Sequence, residues 1–244
     1  MNIWTAGIIG LMAEGLGVTI GMLLLLLLNF KSKRLQGMMM GLTAGLMVAI
    51  ISFDILPEAF AQSGVLITLV GLILGLVVGL SLENIAGNLS NNIYKQNSKN
   101  IKTGIVLTVA VALHSIPEGI ALGTLLAIAP QTGMRVALVV ALHSIPEGMA
   151  IAIPLKIGRV NKNILYFICI TLGVLMGSGV IVGYVMSALS PILVTLAMGF
   201  AAGVILYIVC EELMPESKEI WNGRLTTVAA VIGVIIGIMI TVGI

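Results

Sequence analysis

Eight apolar runs, each long enough to cross a bilayer, constrain this chain more than any other feature. They lie near 4–29, 36–60, 64–82, 102–128, 133–156, 163–188, 191–214 and 224–244. A transmembrane helix needs about 20 apolar residues to span a hydrocarbon core about 30 Å thick. Hydrocarbon offers no hydrogen bonds, so a spanning segment of this length must satisfy its own backbone as a helix. The expected fold is an all-α polytopic membrane protein of eight transmembrane helices. Composition agrees: 59% of the residues are hydrophobic and only 9% are charged, against about 25% charged in an ordinary soluble domain. So few charges cannot coat a water-facing surface, which excludes a soluble enzyme, a nucleic-acid binder and a disordered regulator. The 29 glycines suit tightly packed membrane helices. Cys169 and Cys210 both lie inside apolar runs and are expected to be core thiols.

Polar breaks separate the runs. They are KSKR at 31–34, QSG at 62–64, the Asn-rich stretch 83–100, APQTG at 129–133, KIGRVNKN at 156–163, Ser190–Pro191 and PESKEIWNGR at 215–224. The first run has its positive charges after the apolar stretch, so it reads as a span and not a secretory signal. Lysine and arginine collect on the cytoplasmic side of membrane proteins. With an outside N-terminus, Lys31, Lys33, Arg34, Lys95, Lys99, Lys102, Lys156, Arg159, Lys162, Lys218 and Arg224 share one side, and Arg135 alone takes the other. Both termini are therefore expected outside, with 83–100 a cytoplasmic loop and residues 1–244 a single integral membrane domain.

Two segments read as inverted copies. AGLMVAIISFDILPEAF runs from Ala44 to Phe60, and AGVILYIVCEELMPES from Ala202 to Ser217. Each has A-G, an apolar body, an acid, then L-P-E or M-P-E. They lie in the second and seventh runs, which cross in opposite senses. Asp54 and Glu58 are then expected near the outer face, and Glu211, Glu212 and Glu216 near the inner one. Inverted repeats with a site at their interface are a common plan for secondary transporters.

Both histidines of the chain, His114 and His143, open the hexapeptide HSIPEG, at 114–119 and 143–148. Glu118 and Glu147 follow four residues later, which puts imidazole and carboxylate on one helix face. In an antiparallel hairpin, the midpoint of Glu118 and His143, and of His114 and Glu147, is 130.5. That point falls inside APQTG, with its turn residues Pro130 and Gly133. The fourth and fifth helices would then bring Glu118 level with His143, and His114 level with Glu147. These residues lie roughly 18–25 Å below the turn at 1.5 Å per residue, near the bilayer middle. Ionisable groups at that depth are costly and functional. Two imidazoles with two carboxylates suit Zn²⁺, and also Fe²⁺, Mn²⁺ or Cd²⁺. Pro117 and Pro146 free the carbonyls of Leu113 and Leu142 beside each histidine. Gly119 and Gly148 admit a close neighbouring helix, and Ser115 and Ser144 could orient a ligand or bind through water. Met47 could add a thioether. Glu14 and Glu83 read as polar packing or interface residues.

These motifs resemble the ZIP family of divalent metal transporters, in its bacterial branches, over nearly the whole chain. The resemblance rests on eight spans with both ends outside, HSIPEG in the fourth and fifth, and AGVILYIVCEELMPES in the seventh. It implies a 3+2+3 bundle, with an inverted pair of three-helix units flanking the fourth and fifth helices. It implies metal ligands at His114, Glu118, His143 and Glu147, a methionine near the metal at Met47, and an inner release path at Glu211 and Glu212. Ser115 stands where many relatives have Asn, and Ser144 where some have Asp. The stretch GSGVIVG at 177–183 lacks the acid that some relatives place there for a second metal. One principal site is therefore expected.

The combined reading is a multi-pass importer of divalent metal ions, zinc first, in the plasma (cell inner) membrane. It is no enzyme, uses no cofactor and binds no nucleic acid, and the resemblance implies a homodimer. Metal would pass Asp54 and Glu58, lose water at the paired HSIPEG motifs and leave past Glu211 and Glu212. The alternatives are an intramembrane metalloenzyme, although HExxH is absent, and an importer preferring iron or manganese.

Overall fold

The computed structural model describes residues 1–28, 32–93 and 99–242. It is helical throughout: α1 (Ile3–Leu28), α2 (Lys33–Ser63), α3 (Val65–Ile93), α4 (Lys99–Ile128), α5 (Pro130–Ile157), α6 (Lys162–Ser187), α7 (Pro191–Ile220) and α8 (Arg224–Val242). Seven of these are long and apolar enough to cross a membrane, and α3 carries a shorter apolar stretch, Val65–Ser81. The third run outlasts its apolar part. No proline interrupts 65–93, and the helix continues to Ile93 through residues expected to be loop. Of the expected loop 83–100, residues 94–98 lie outside the described residues, as do Lys31 and Lys95 of the basic side.

The helix ends follow local chemistry. Ser190 accepts a hydrogen bond from the Ile192 N–H at 3.2 Å, and Pro191 takes the first position of α7. Asn161 caps α6 by accepting from the Asn163 N–H at 3.0 Å. Between α2 and α3 the chain turns at Gly64 with φ +86°, a conformation that favours glycine. Between α4 and α5 only Ala129 is non-helical, so the hairpin turns tighter than the five-residue break suggested.

Both copies of the L/M-P-E segment widen into a π turn immediately before the proline. In α2 the turn covers Ile50–Ile55, and the Leu56 N–H reaches the Ile51 carbonyl. In α7 it covers Val209–Leu213, and the Met214 N–H reaches the Val209 carbonyl. Pro57 and Pro215 have no N–H, and each ring would crowd the carbonyl four residues back. Opening the turn by one residue relieves both faults and keeps the helix continuous. Such bulges occur frequently at functional sites, and these carry Asp54 and Glu211. Pro117 and Pro146, by contrast, sit inside unbroken α-helix.

The helices divide by packing. α1 packs on α5 and α6, and α4 on α5 and α6; α2 packs on α8, and α3 on α7. Fewer contacts, α4 with α7 and α2 with α5, join the two groups. Glycines set the closest approaches. A Cβ on Gly148 of α5 would collide with the Val18 carbonyl of α1, and one on Gly17 would lie 2.6 Å from the Ser144 Cβ. Gly119 likewise lies against Gly179 of α6. Both approaches are of the kind the HSIPEG glycines led us to expect.

Large apolar side chains face outward while a few ionisable ones lie inside, the reverse of a soluble protein. Trp4, Leu66 and Phe167 are about seven-tenths exposed, whereas Glu14, Asp54, Glu118, His143 and Glu147 are buried. One expectation fails here. Cys169 is a core thiol, but Cys210 is exposed. It lies within the π turn of α7, and a place in an apolar run does not by itself say which residues face inward.

Replacing Gly148 with Ala forces α1 away from α5. Overpacking of this kind costs about 1–3 kcal/mol, so the detergent-solubilised variant is expected to unfold at a lower temperature than wild type in a thermal melt.

Candidate metal centre

The site forms where α1, α4 and α5 meet. Glu118 is one turn past His114 on α4, and His143 and Glu147 are one turn apart on α5. His143 Nε2 lies 3.3 Å from Glu118 Oε1 and 3.9 Å from Glu147 Oε1. The first contact is the level pairing that the 130.5 midpoint called for. His143 is fully buried, and neither ring nitrogen makes a hydrogen bond among the described residues. The backbone of His114 is helical, but its side chain lies outside the described residues, so its pairing with Glu147 is not described.

Both HSIPEG serines bond to an acid on α1. Ser115 Oγ donates to Glu14 Oε1 at 3.2 Å, and Ser144 Oγ donates to Glu14 Oε2 at 2.8 Å. Glu14, on α1, is fully buried. Ligand atoms of Glu14, His143 and Glu147 all lie within 4.8 Å of one another. Sequence reasoning put Glu14 down as polar packing, yet a signal was there. It is the single ionisable residue in Ile3–Leu28 and sits near the middle of that helix, where a charge is functional by default.

The pathway candidates are dispersed. Asp54 is buried in the α2 π turn and accepts a hydrogen bond from Thr241 Oγ1 of α8 at 2.7 Å. Glu58 is half-buried and accepts from Gln62 Nε2 at 2.9 Å. Glu211 is exposed, and the Glu212 side chain lies outside the described residues. Met47 is buried on α2, in the group of helices opposite the one that holds His143.

The donor set fits a borderline divalent cation. Bonds of about 2.0–2.1 Å to nitrogen and oxygen in tetrahedral zinc imply ligand–ligand edges of about 3.3–3.4 Å. The His143–Glu118 separation already has that length, and the remaining donors need to close in by about 1 Å. Carboxylates gathered beside an imidazole inside apolar surroundings are repaid for lost hydration when a cation joins them.

Fold and site together define a polytopic helical membrane protein with a buried Glu/His/Glu group between its helices. The sequence profile of the ZIP zinc transporter family matches residues 84–244. Curated relatives named zinc transporter ZupT align over most of the chain. That of Escherichia coli O7:K1 is 34% identical, covering 84% of each protein. That of Chlorobium luteolum is 26% identical, covering 96% of each, and that of Stenotrophomonas maltophilia is 28% identical, covering 95% of this chain and 93% of its own. The chain belongs to the ZIP family. Its members are transporters, so the metalloenzyme alternative is set aside.

If these donors hold the ion, zinc should stabilise the fold. A ligand at 100 times its Kd adds about 2.7 kcal/mol. Zinc is expected to raise the melting temperature of purified wild-type protein and to leave that of Glu118→Gln nearly unmoved, as read by thermal unfolding with and without metal.

Proposed function

We propose that this protein carries divalent transition-metal ions, zinc first, across the cell inner membrane into the cytoplasm through a site at His114, Glu118, His143 and Glu147. The observation that carries the reading is the fully buried His143, its ring 3.3 Å from Glu118 and 3.9 Å from Glu147, with neither ring nitrogen in a hydrogen bond among the described residues. The family match and the names of the ZupT zinc transporters support zinc as the substrate. Fe²⁺, Mn²⁺ and Cd²⁺ suit the same donors.

Residues 1–244 act as one transport domain in this reading, an inverted-repeat 3+2+3 bundle with both termini outside. Supporting the repeat, the packing pairs persist when α1, α2, α3 and α4 are exchanged with α6, α7, α8 and α5: α2–α8 becomes α7–α3, and α1–α5 becomes α6–α4. The matched π turns of α2 and α7 obey the same exchange. Eleven of the twelve Lys and Arg residues on one side support the orientation. The ion enters past Asp54 and Glu58, loses water among the central donors with Met47 adding a soft contact, and leaves past Glu211 and Glu212. Serial carboxylates divide the path into several weak steps, which lets the ion depart as well as arrive. The helices carrying the metal, α1, α4, α5 and α6, move against α2, α3, α7 and α8, and the second group forms a homodimer.

The test is uptake of ⁶⁵Zn²⁺ into liposomes holding purified protein. Saturable uptake is expected in wild type and its loss in both His143→Ala and Glu118→Ala. Folded wild type that moves neither Zn²⁺ nor Mn²⁺ nor Fe²⁺ overturns the reading. Ligands must be deprotonated to bind metal, and imidazole titrates between about pH 5 and 8. Uptake is therefore expected to fall as the outside pH drops from about 7.5 to about 5.5; uptake that held or rose would count against an imidazole–carboxylate site.

A further inference from the structure

We propose that Glu14 is a metal-binding residue, so that α1 completes the intramembrane cation site with Glu118, His143 and Glu147. This rests on the reading of the His143 cluster as the transported-ion site. No acid from α1 was needed to reach that reading, and it counted only two carboxylates.

Three observations carry the proposal. A carboxylate oxygen of Glu14 and ligand atoms of His143 and Glu147 all lie within 4.8 Å of one another. His143, fully buried at that point, keeps both ring nitrogens outside any hydrogen bond among the described residues. The third concerns the serines. Ser115 Oγ lies 2.7 Å from the Val111 carbonyl and 3.2 Å from Glu14. Ser144 Oγ lies 2.8 Å from the Val140 carbonyl and 2.8 Å from Glu14. A hydroxyl has one proton, so each serine serves two acceptors in turn. The arrangement holds the Glu14 carboxylate at a set place and leaves it able to turn toward a cation, while a serine that gives up Glu14 keeps its bond to its own helix.

The chemistry sets the class of ligand. With Glu14 the proposed donors are three carboxylates and the imidazoles of His114 and His143, a set with one more oxygen donor group than the site has without it. Oxygen donors favour harder ions such as Mn²⁺ over softer ones. Glu14 therefore broadens the site from zinc toward manganese and ties the binding of the ion to the contact of α1 with α4 and α5.

The experiment measures equilibrium binding of Zn²⁺ and Mn²⁺ to the full-length protein in nanodiscs, for wild type, Glu14→Gln, Glu14→Asp and His143→Ala, beside ⁶⁵Zn²⁺ uptake. Glu14→Gln is expected to weaken zinc about 10–100-fold, the range known for groups supporting metal sites, and manganese by more. Glu14→Asp is expected to recover part of the loss. If Glu14→Gln binds both ions as wild type does while His143→Ala loses them, Glu14 is a packing residue and the transport site stands without it. If His143→Ala also binds and transports normally, the site reading itself falls. A second variant does not depend on Glu14→Gln folding well. Glu14→Cys loaded with Co²⁺ is expected to show a thiolate-to-cobalt charge-transfer band, absent from wild type, whose Cys169 and Cys210 serve as the background. Folded, cobalt-loaded Glu14→Cys without that band overturns the proposal.

Discussion

Everything in this molecule is arranged around the expense of holding carboxylates in hydrocarbon. A buried ion pays a desolvation penalty of several kcal/mol even after the protein relaxes. Glu14, Glu118 and Glu147 are all buried, together with His143, at one place between three helices. No fold would carry such a cluster for stability, since well-packed apolar residues of similar volume do as well or better there. Its presence is what supports the proposed transport site. A divalent cation is the partner that answers the charge, and the acids then become an asset. They attract the ion, replace part of its water and, because they are several, need not hold it in one deep trap.

The packing that creates this cluster depends on small residues. Helices in lipid gain little from burying apolar surface, so close backbone approach and polar contacts must hold them together. The approach of α1 to α5 needs the absence of side chains at Gly17 and Gly148, because any Cβ there would press on Ser144 or Val18. The same closeness puts Glu14 within reach of Ser144. On the other side of α4, Gly119 faces Gly179 of α6. The glycine of HSIPEG thus serves the site indirectly, by letting in the helix that braces it. Hydroxyls caught in the bundle bond to the carbonyl one turn back, as Thr19 does to Gly15 at 2.6 Å and Thr124 to Ile120 at 2.8 Å. They stay satisfied without water.

Much of this was legible in the residues. The apolar runs located the helices, and the proline–glycine break set the register of the α4–α5 hairpin well enough to pair Glu118 with His143. That inference worked because an antiparallel hairpin with a short turn has a single geometric unknown, the turn position. Glu14 was not legible in the same way. Its partners lie 101 and 130 residues away in the chain, and no local spacing links α1 to the hairpin. The π turns escaped for a related reason. The L-P-E and M-P-E segments announced a proline, but whether a helix kinks, breaks or widens there depends on its neighbours. Cys210 was misplaced for another reason: a helix that is apolar all round does not announce which face is inward. The end of α3 was misjudged because polarity marks where a helix leaves the bilayer, and a helix can leave without ending.

The distribution of the acids over the helix groups bears on how an ion could move. Glu14, Glu118, His143 and Glu147 belong to α1, α4 and α5, which pack with α6 as one group. Asp54 and Glu211 belong to α2 and α7, in the other group, each on a π turn. The central donors therefore share one body, and the flanking acids share another. In the proposed transport, a relative shift of the two groups changes the distance from the central site to Asp54 and to Glu211 without disturbing the donors themselves. The seam between the groups, α4 on α7 and α2 on α5, is less extensive than the packing within them, so the work of sliding falls on fewer contacts. A site assembled across the seam would have to break with each cycle. By lying within one group, Glu14, Glu118, His143 and Glu147 can stay together while Met47 of α2 and the flanking acids shift past them, and the carboxylates are gathered once, at folding.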